Sequence, residues 1–135
     1  MEEVTDCFFD EERLERFRRR LPRYRQSEFF QEYDVVKAQY LLHLLGRQSE
    51  TIQVELLAKQ YGFWPDQHFF FFKVDREGAM RSCIRLTRPL IGIHGRKYPL
   101  IDGLHRLYKA AHNGQQELLC FFLTLEEARF CKRLG

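Results

Sequence analysis

Between Tyr98 and Gly114 the hydrophobic pattern changes period within two residues, so no single regular element holds both halves. Upstream of Asp102-Gly103 the residues alternate as a strand does. Downstream, Leu104, Leu107, Tyr108 and Ala111 recur at i, i+3, i+4 and i+7, the buried stripe of a helix. A strand that runs straight into a helix through Asp-Gly requires a mixed α and β architecture. The spacing predicts a strand over residues 97–101, a helix over 104–113 ended by Gly114, and a strand over 118–123 beside the first in one sheet.

The rest of the chain is read around that segment. Asp10 is placed to cap a helix with Glu11 and Glu12 in its first turn and Leu14, Phe17 and Leu21 on its apolar stripe, closed by Pro22. A second helical stretch is expected from a Ser27 cap to Leu45, with Gly46 after it. Asp34-Val35-Val36 also suits a short strand. A third helix is expected over residues 50–61, capped by Ser49 and stopped by Gly62. Residues 69–74 and 79–86 read as a hairpin around Asp75-Arg76-Glu77-Gly78. Residues 90–94 and 97–101 read as a second hairpin with a two-residue Gly95-Arg96 turn. Thr124-Leu125-Glu126-Glu127 is a capping box opening a last helix. The expected fold class is α+β: a helical N-terminal half packed on a small mixed, mostly antiparallel sheet.

At 135 residues the chain has the length of a single domain, with residues 1–65 mostly helical and 66–135 forming the sheet-bearing core. Its 13 Phe, 6 Tyr and 1 Trp predict an aromatic-rich core, with Trp64 as a loop anchor. The longest apolar run, residues 118–123, is six long, against the ~20 a membrane span needs. Met1-Glu2-Glu3-Val4-Thr5-Asp6 is acidic where a secretory leader is basic and then apolar, so secretion is not expected. Cys7, Cys83, Cys120 and Cys131 form no Cys-x-x-Cys pair and read as small buried hydrophobes of a reducing cytoplasm. The five histidines show no zinc spacing, so no metal site is expected; His43 reads as core or interface, His94 and His112 as surface.

Chemistry concentrates at Asp102-Gly103-Leu104-His105-Arg106. The first amides of a helix lack internal partners and sit at the positive end of its dipole. Gly103 removes a Cβ from the approach, and Arg106 falls where a guanidinium can fork onto phosphate oxygens. That is the recipe for an anion site. Plainer readings exist: Asp102-Gly103 as a turn and cap, Arg106 as a structural ion-pair partner, and His105 as a satisfied imidazole. His105, Lys109 and His112 share another face of the helix. A separate charge feature lies between Arg13 and Arg25, with seven arginines against Glu15 alone, an excess of +6. Arg16, Arg18, Arg19 and Arg20 there could track a nucleic-acid strand, although such runs are more often solvated faces.

At the Asp102–Arg106 motif the sequence resembles the ParB/sulfiredoxin superfamily, whose members bind nucleotide phosphates at a Gly-x-[His/Arg]-Arg turn. The resemblance covers about residues 85–130 and includes the strand and capping box after Gln115. It implies phosphate binding by Gly103, Leu104, His105 and Arg106, and Asp102 and His105 as catalytic residues. It further implies a nucleotide (ATP, ADP or CTP) with Mg²⁺, and a phosphotransferase or nucleotide hydrolase. Leu104 stands where sulfiredoxins carry their catalytic cysteine, so sulfinic-acid repair is not expected. A second nucleotide motif and a helix-turn-helix, both present in partition proteins, are missing from the sequence. Asp-Gly-x-His-Arg is closest to small stand-alone members of the superfamily. Two other readings stay open: a nucleic-acid-binding (DNA-binding) or nuclease domain using the same anion site, and a non-catalytic interaction module. Self-association is also left open.

Overall fold

A computed structural model describes residues 10–22, 32–62 and 86–133. Among these the elements run α1 (Glu11–Arg20), α2 (Val35–Leu44), β1 (Glu50–Gln53), α3 (Val54–Tyr61), β2 (Leu90–Ile93), β3 (Leu100–Asp102), α4 (Leu104–His112), β4 (Glu117–Leu123) and α5 (Leu125–Phe130). The class is α+β, as the change of period requires. The expected 69–74/79–86 hairpin, the Ser27 cap, Trp64, Cys7 and Cys83 lie outside the described residues.

The chain divides into two compact units. One holds the described residues up to Gln48 together with those from Leu123 onward; the other holds those from Ser49 to Phe122. In the first unit, Asp10 caps α1 by accepting the Glu12 and Arg13 amides at 2.9 and 3.3 Å. Leu14 is the buried residue of the α1 stripe. Helix α2 starts later than the apolar spacing suggested. Asp34 accepts the Lys37 amide at 3.0 Å and is its N-cap, and Tyr33 before it is bridged to Lys132. The Asp34 amide itself donates to Cys131 O at 2.7 Å, a pairing no local pattern announces. Thr124 and Glu127 complete the capping box at the start of α5. Glu127 also accepts both ends of the Arg47 guanidinium, at 2.9 and 2.6 Å, which ties α5 to the end of α2.

The second unit carries a mixed four-stranded sheet of order β1-β4-β2-β3. Strand β1 corrects the expected 50–61 helix: residues 50–53 pair antiparallel with β4, Glu50 facing Cys120 and Ile52 facing Leu118, and only then does α3 begin. Four residues are too few to display a period, and the partner that fixes them is more than sixty residues away. Strand β4 is not buried on both faces, since Leu119 is 45% exposed. Nor does it lie beside β3; β2 intervenes. A helix is ~10 Å wide and strands are ~4.8 Å apart, so a crossover helix such as α4 spans about two strand positions. The expected two-residue turn at Gly95-Arg96 is also corrected. Strand β2 ends at Ile93 and β3 starts at Leu100, with Pro99 accepting from the Ile93 amide at 2.9 Å. Proline has no N–H for a ladder, which keeps residue 99 out of the strand.

Helices α3 and α4 pack together over a core that includes Leu57, Tyr61, Leu90, Leu100, Leu107 and Leu118. Leu90 and Leu107 are fully buried, each contributing ~1.5–3 kcal/mol by leaving water. Tyr61 accepts the Leu100 amide at 2.9 Å, which fixes the start of β3 and hence the turn that follows it. The buried aromatics among the described residues are tyrosines; Phe17, Phe121, Phe122 and Phe130 are half-buried.

Candidate functional site

The turn between β3 and α4 is set from beneath. Ile101 and Leu104 are anchored in the interior at 2% and 7% exposure, so the two residues between them must reverse direction in little space. Gly103 does so with φ +102 as the N-cap of α4. A Cβ there would lie 2.3 Å from Leu90 Cδ2 and 3.0 Å from Arg106 Nη2. Leu90 is fully buried and cannot withdraw, so the position admits glycine alone. Because glycine has no side chain, α4 starts without a side-chain cap, and no acidic residue lies in its first turn. Lys109 and His112 sit in its last turn, at the negative end of the dipole.

Three side chains brace this turn. Arg106 Nη2 donates to Asp102 Oδ2 at 2.7 Å, and Arg106 Nη1 donates to the carbonyls of Arg88 and Pro89 at 3.0 and 2.7 Å. Arg88 Nη2 reaches the same Asp102 oxygen at 3.4 Å. The Arg106 side chain is 7% exposed, that of Asp102 14% and that of Arg88 18%. Arg106 thus ties the β3–α4 turn to the segment entering β2. Sequence reasoning expected its fork on a phosphate; the structure directs its recorded donors at protein acceptors. Asp102 is likewise held between two guanidiniums through one oxygen, an arrangement suited to fixing a turn.

The other expected residues fall as follows. Leu104 is buried, so it offers only its backbone. His105 and Lys109 are half-buried on one face, and His112 is exposed with its ring 4.4 Å from that of Tyr108. In α1, in the other unit, Arg16 pairs with Glu12 at 3.4 Å, while Arg19 and Arg20 are exposed. Arg18 turns inward to Asp34, the N-cap of α2, and also reaches Glu15 at 3.7 Å. It belongs to the packing of that unit more than to its outer face. His43 is exposed and stacked near Phe17, not buried in a core as its apolar neighbours suggested. His94 is exposed, 4.5 Å from the Phe122 ring and within 3.4 Å of Glu50.

Burial pushes the Cys120 and Cys131 thiols up to about 12, so neither is a nucleophile. Among the described residues no group of three or more His, Cys, Asp or Glu could hold a metal ion. With Asp102 committed to two guanidiniums, the donor set does not fit a magnesium cage of its own. Arg88 was missed at the level of sequence. Its only signal was Arg-Pro ahead of an apolar run, which carries no period. No helix among the described residues is long and apolar enough to cross a membrane. No family model, curated protein or solved structure matches this chain.

Proposed function

We propose that the chain is a phosphate-binding domain of the ParB/sulfiredoxin type, taking a nucleotide whose phosphates rest on the first turn of α4. The observation that carries this reading is Gly103: a left-handed N-cap between two buried residues, at a position where any Cβ collides, opening a helix that has no side-chain cap. Backbone amides of Leu104 and His105 at the positive end of α4 attract an anion there. His105 contributes from the helix face, and Arg106 holds the turn in shape by its bonds to Asp102, Arg88 O and Pro89 O. Magnesium, in this reading, arrives on the nucleotide's own phosphates. Binding is better supported than phosphoryl transfer, since Asp102 is engaged by two arginines.

A thermal-shift panel tests the proposal, with ATP, ADP, CTP, GTP and a short DNA, each with and without Mg²⁺. A ligand at 100 times its dissociation constant stabilises a fold by ~2.7 kcal/mol, which a melting curve resolves. The expected result is a shift with at least one nucleotide. No shift with any nucleotide at millimolar concentration overturns the reading, and a shift with DNA alone moves it to nucleic-acid binding.

A further inference from the structure

We propose that Arg88 is the side chain that grips the phosphate, with Arg106 the positioning residue that aims it. The inference rests on the reading of the α4 N-terminus as a phosphate site and names a ligand residue within it. Two guanidiniums converge on Asp102 Oδ2, and they are not equivalent. Arg106 lies at 2.7 Å, donates to two carbonyls besides, and is nearly enclosed. Moving it onto a ligand would strip two carbonyls and a carboxylate of their donor in a place water hardly reaches. Arg88 lies at 3.4 Å from the same oxygen, beyond the usual range for such a bond, and its side chain is more than twice as exposed as that of Arg106, 18% against 7%.

The backbone beneath Arg88 is held at two successive points, because Arg106 takes the carbonyls of both Arg88 and Pro89. Pro89 adds a fixed φ. This directs the Arg88 guanidinium to the residue immediately before the Gly103 N-cap. A phosphate oxygen seated on the first amides of α4 therefore lies beside the carboxylate Arg88 already reaches. Arg88 can exchange its long contact for charge-assisted bonds of normal length, while Asp102 stays neutralised by Arg106. The ligand class is a phosphate of a nucleoside polyphosphate.

Calorimetric titration of the full chain with sodium tripolyphosphate and with ATP decides it, comparing wild type, Arg88→Ala, Arg88→Gln, Arg88→Lys and Arg106→Lys. Arg88→Ala is expected to weaken both ligands about tenfold or more with little change in melting temperature, and Arg88→Lys to recover part of the loss. Arg106→Lys is expected to lower the melting temperature. If Arg88→Ala fails to fold, Arg88→Gln, which keeps much of the bulk and lacks the charge, is judged by the same criterion. Wild-type affinity in a folded Arg88 variant overturns the assignment and leaves the site standing. Failure of the wild-type chain to bind either ligand removes the site and Arg88's role together.

Discussion

Two residues show how much rests on single positions. Gly103→Ala combines a left-handed backbone with a collision against Leu90, whereas Gly95→Ala, at φ +82, meets nothing within 4 Å. The left-handed conformation alone costs ~1–2 kcal/mol for a residue with a Cβ. Urea denaturation should therefore show Gly95→Ala losing about that much and Gly103→Ala clearly more. Equal losses would mean that Leu90 yields freely. Glu127 makes a pH-dependent contribution. Burial pushes its carboxyl up, but hydrogen bonds from Arg47 and the Thr124 amide outweigh this and hold it below its ordinary 4.5. A depressed folded value means stability that is present above the ordinary value and lost as pH falls through the folded one. Between pH 5 and pH 2, Glu127→Gln should lose less stability than wild type. Parallel acid-denaturation curves would rule the contribution out.

Among the elements, α1 separates arginines that look alike in sequence. Arg18 is 21% exposed against Asp34, while Arg19 and Arg20 face solvent. Arg18→Glu places like charges together at the N-cap of α2 and should cost about 1–3 kcal/mol. The double change Arg19→Glu, Arg20→Glu should stay within about 0.5 kcal/mol per position and leave nucleotide affinity unchanged. Chemical denaturation measures the first and calorimetry the second. A large effect of the double change on affinity would put α1 at the ligand. At the other end of the first unit, Thr124→Ala removes one half of the α5 capping box. It should cost ~1 kcal/mol by the same assay.

For the whole molecule, the two described thiols report on global opening. Cys120 and Cys131 are both fully buried, and burial raises both to about 12. In a Cys7→Ser, Cys83→Ser background, iodoacetamide at pH 8 should label neither until denaturant is added, and labelling should then follow the unfolding transition. Rapid labelling of the folded chain would show that one unit opens locally. Since neither thiol is reactive, replacing them should also spare phosphate binding in any variant that stays folded.

What the sequence determined by itself is local. The caps of α1 and α5, the glycine stops after α2, α3 and α4, and the strand–Gly103–helix switch are written in neighbouring residues, because capping and period act within a few positions. Tertiary structure decided everything that needed a distant partner. Residues 50–53 are a strand because β4 is there to pair with them, and α2 starts at Asp34 because Cys131 and Arg18 hold that residue. At the candidate site the motif located the turn, but not which arginine turns inward. Arg106 falls on the helix side that meets Asp102 and the carbonyls of Arg88 and Pro89, eighteen and seventeen residues away. A guanidinium's role depends on which acceptors the fold brings within reach, and no spacing in the chain encodes that.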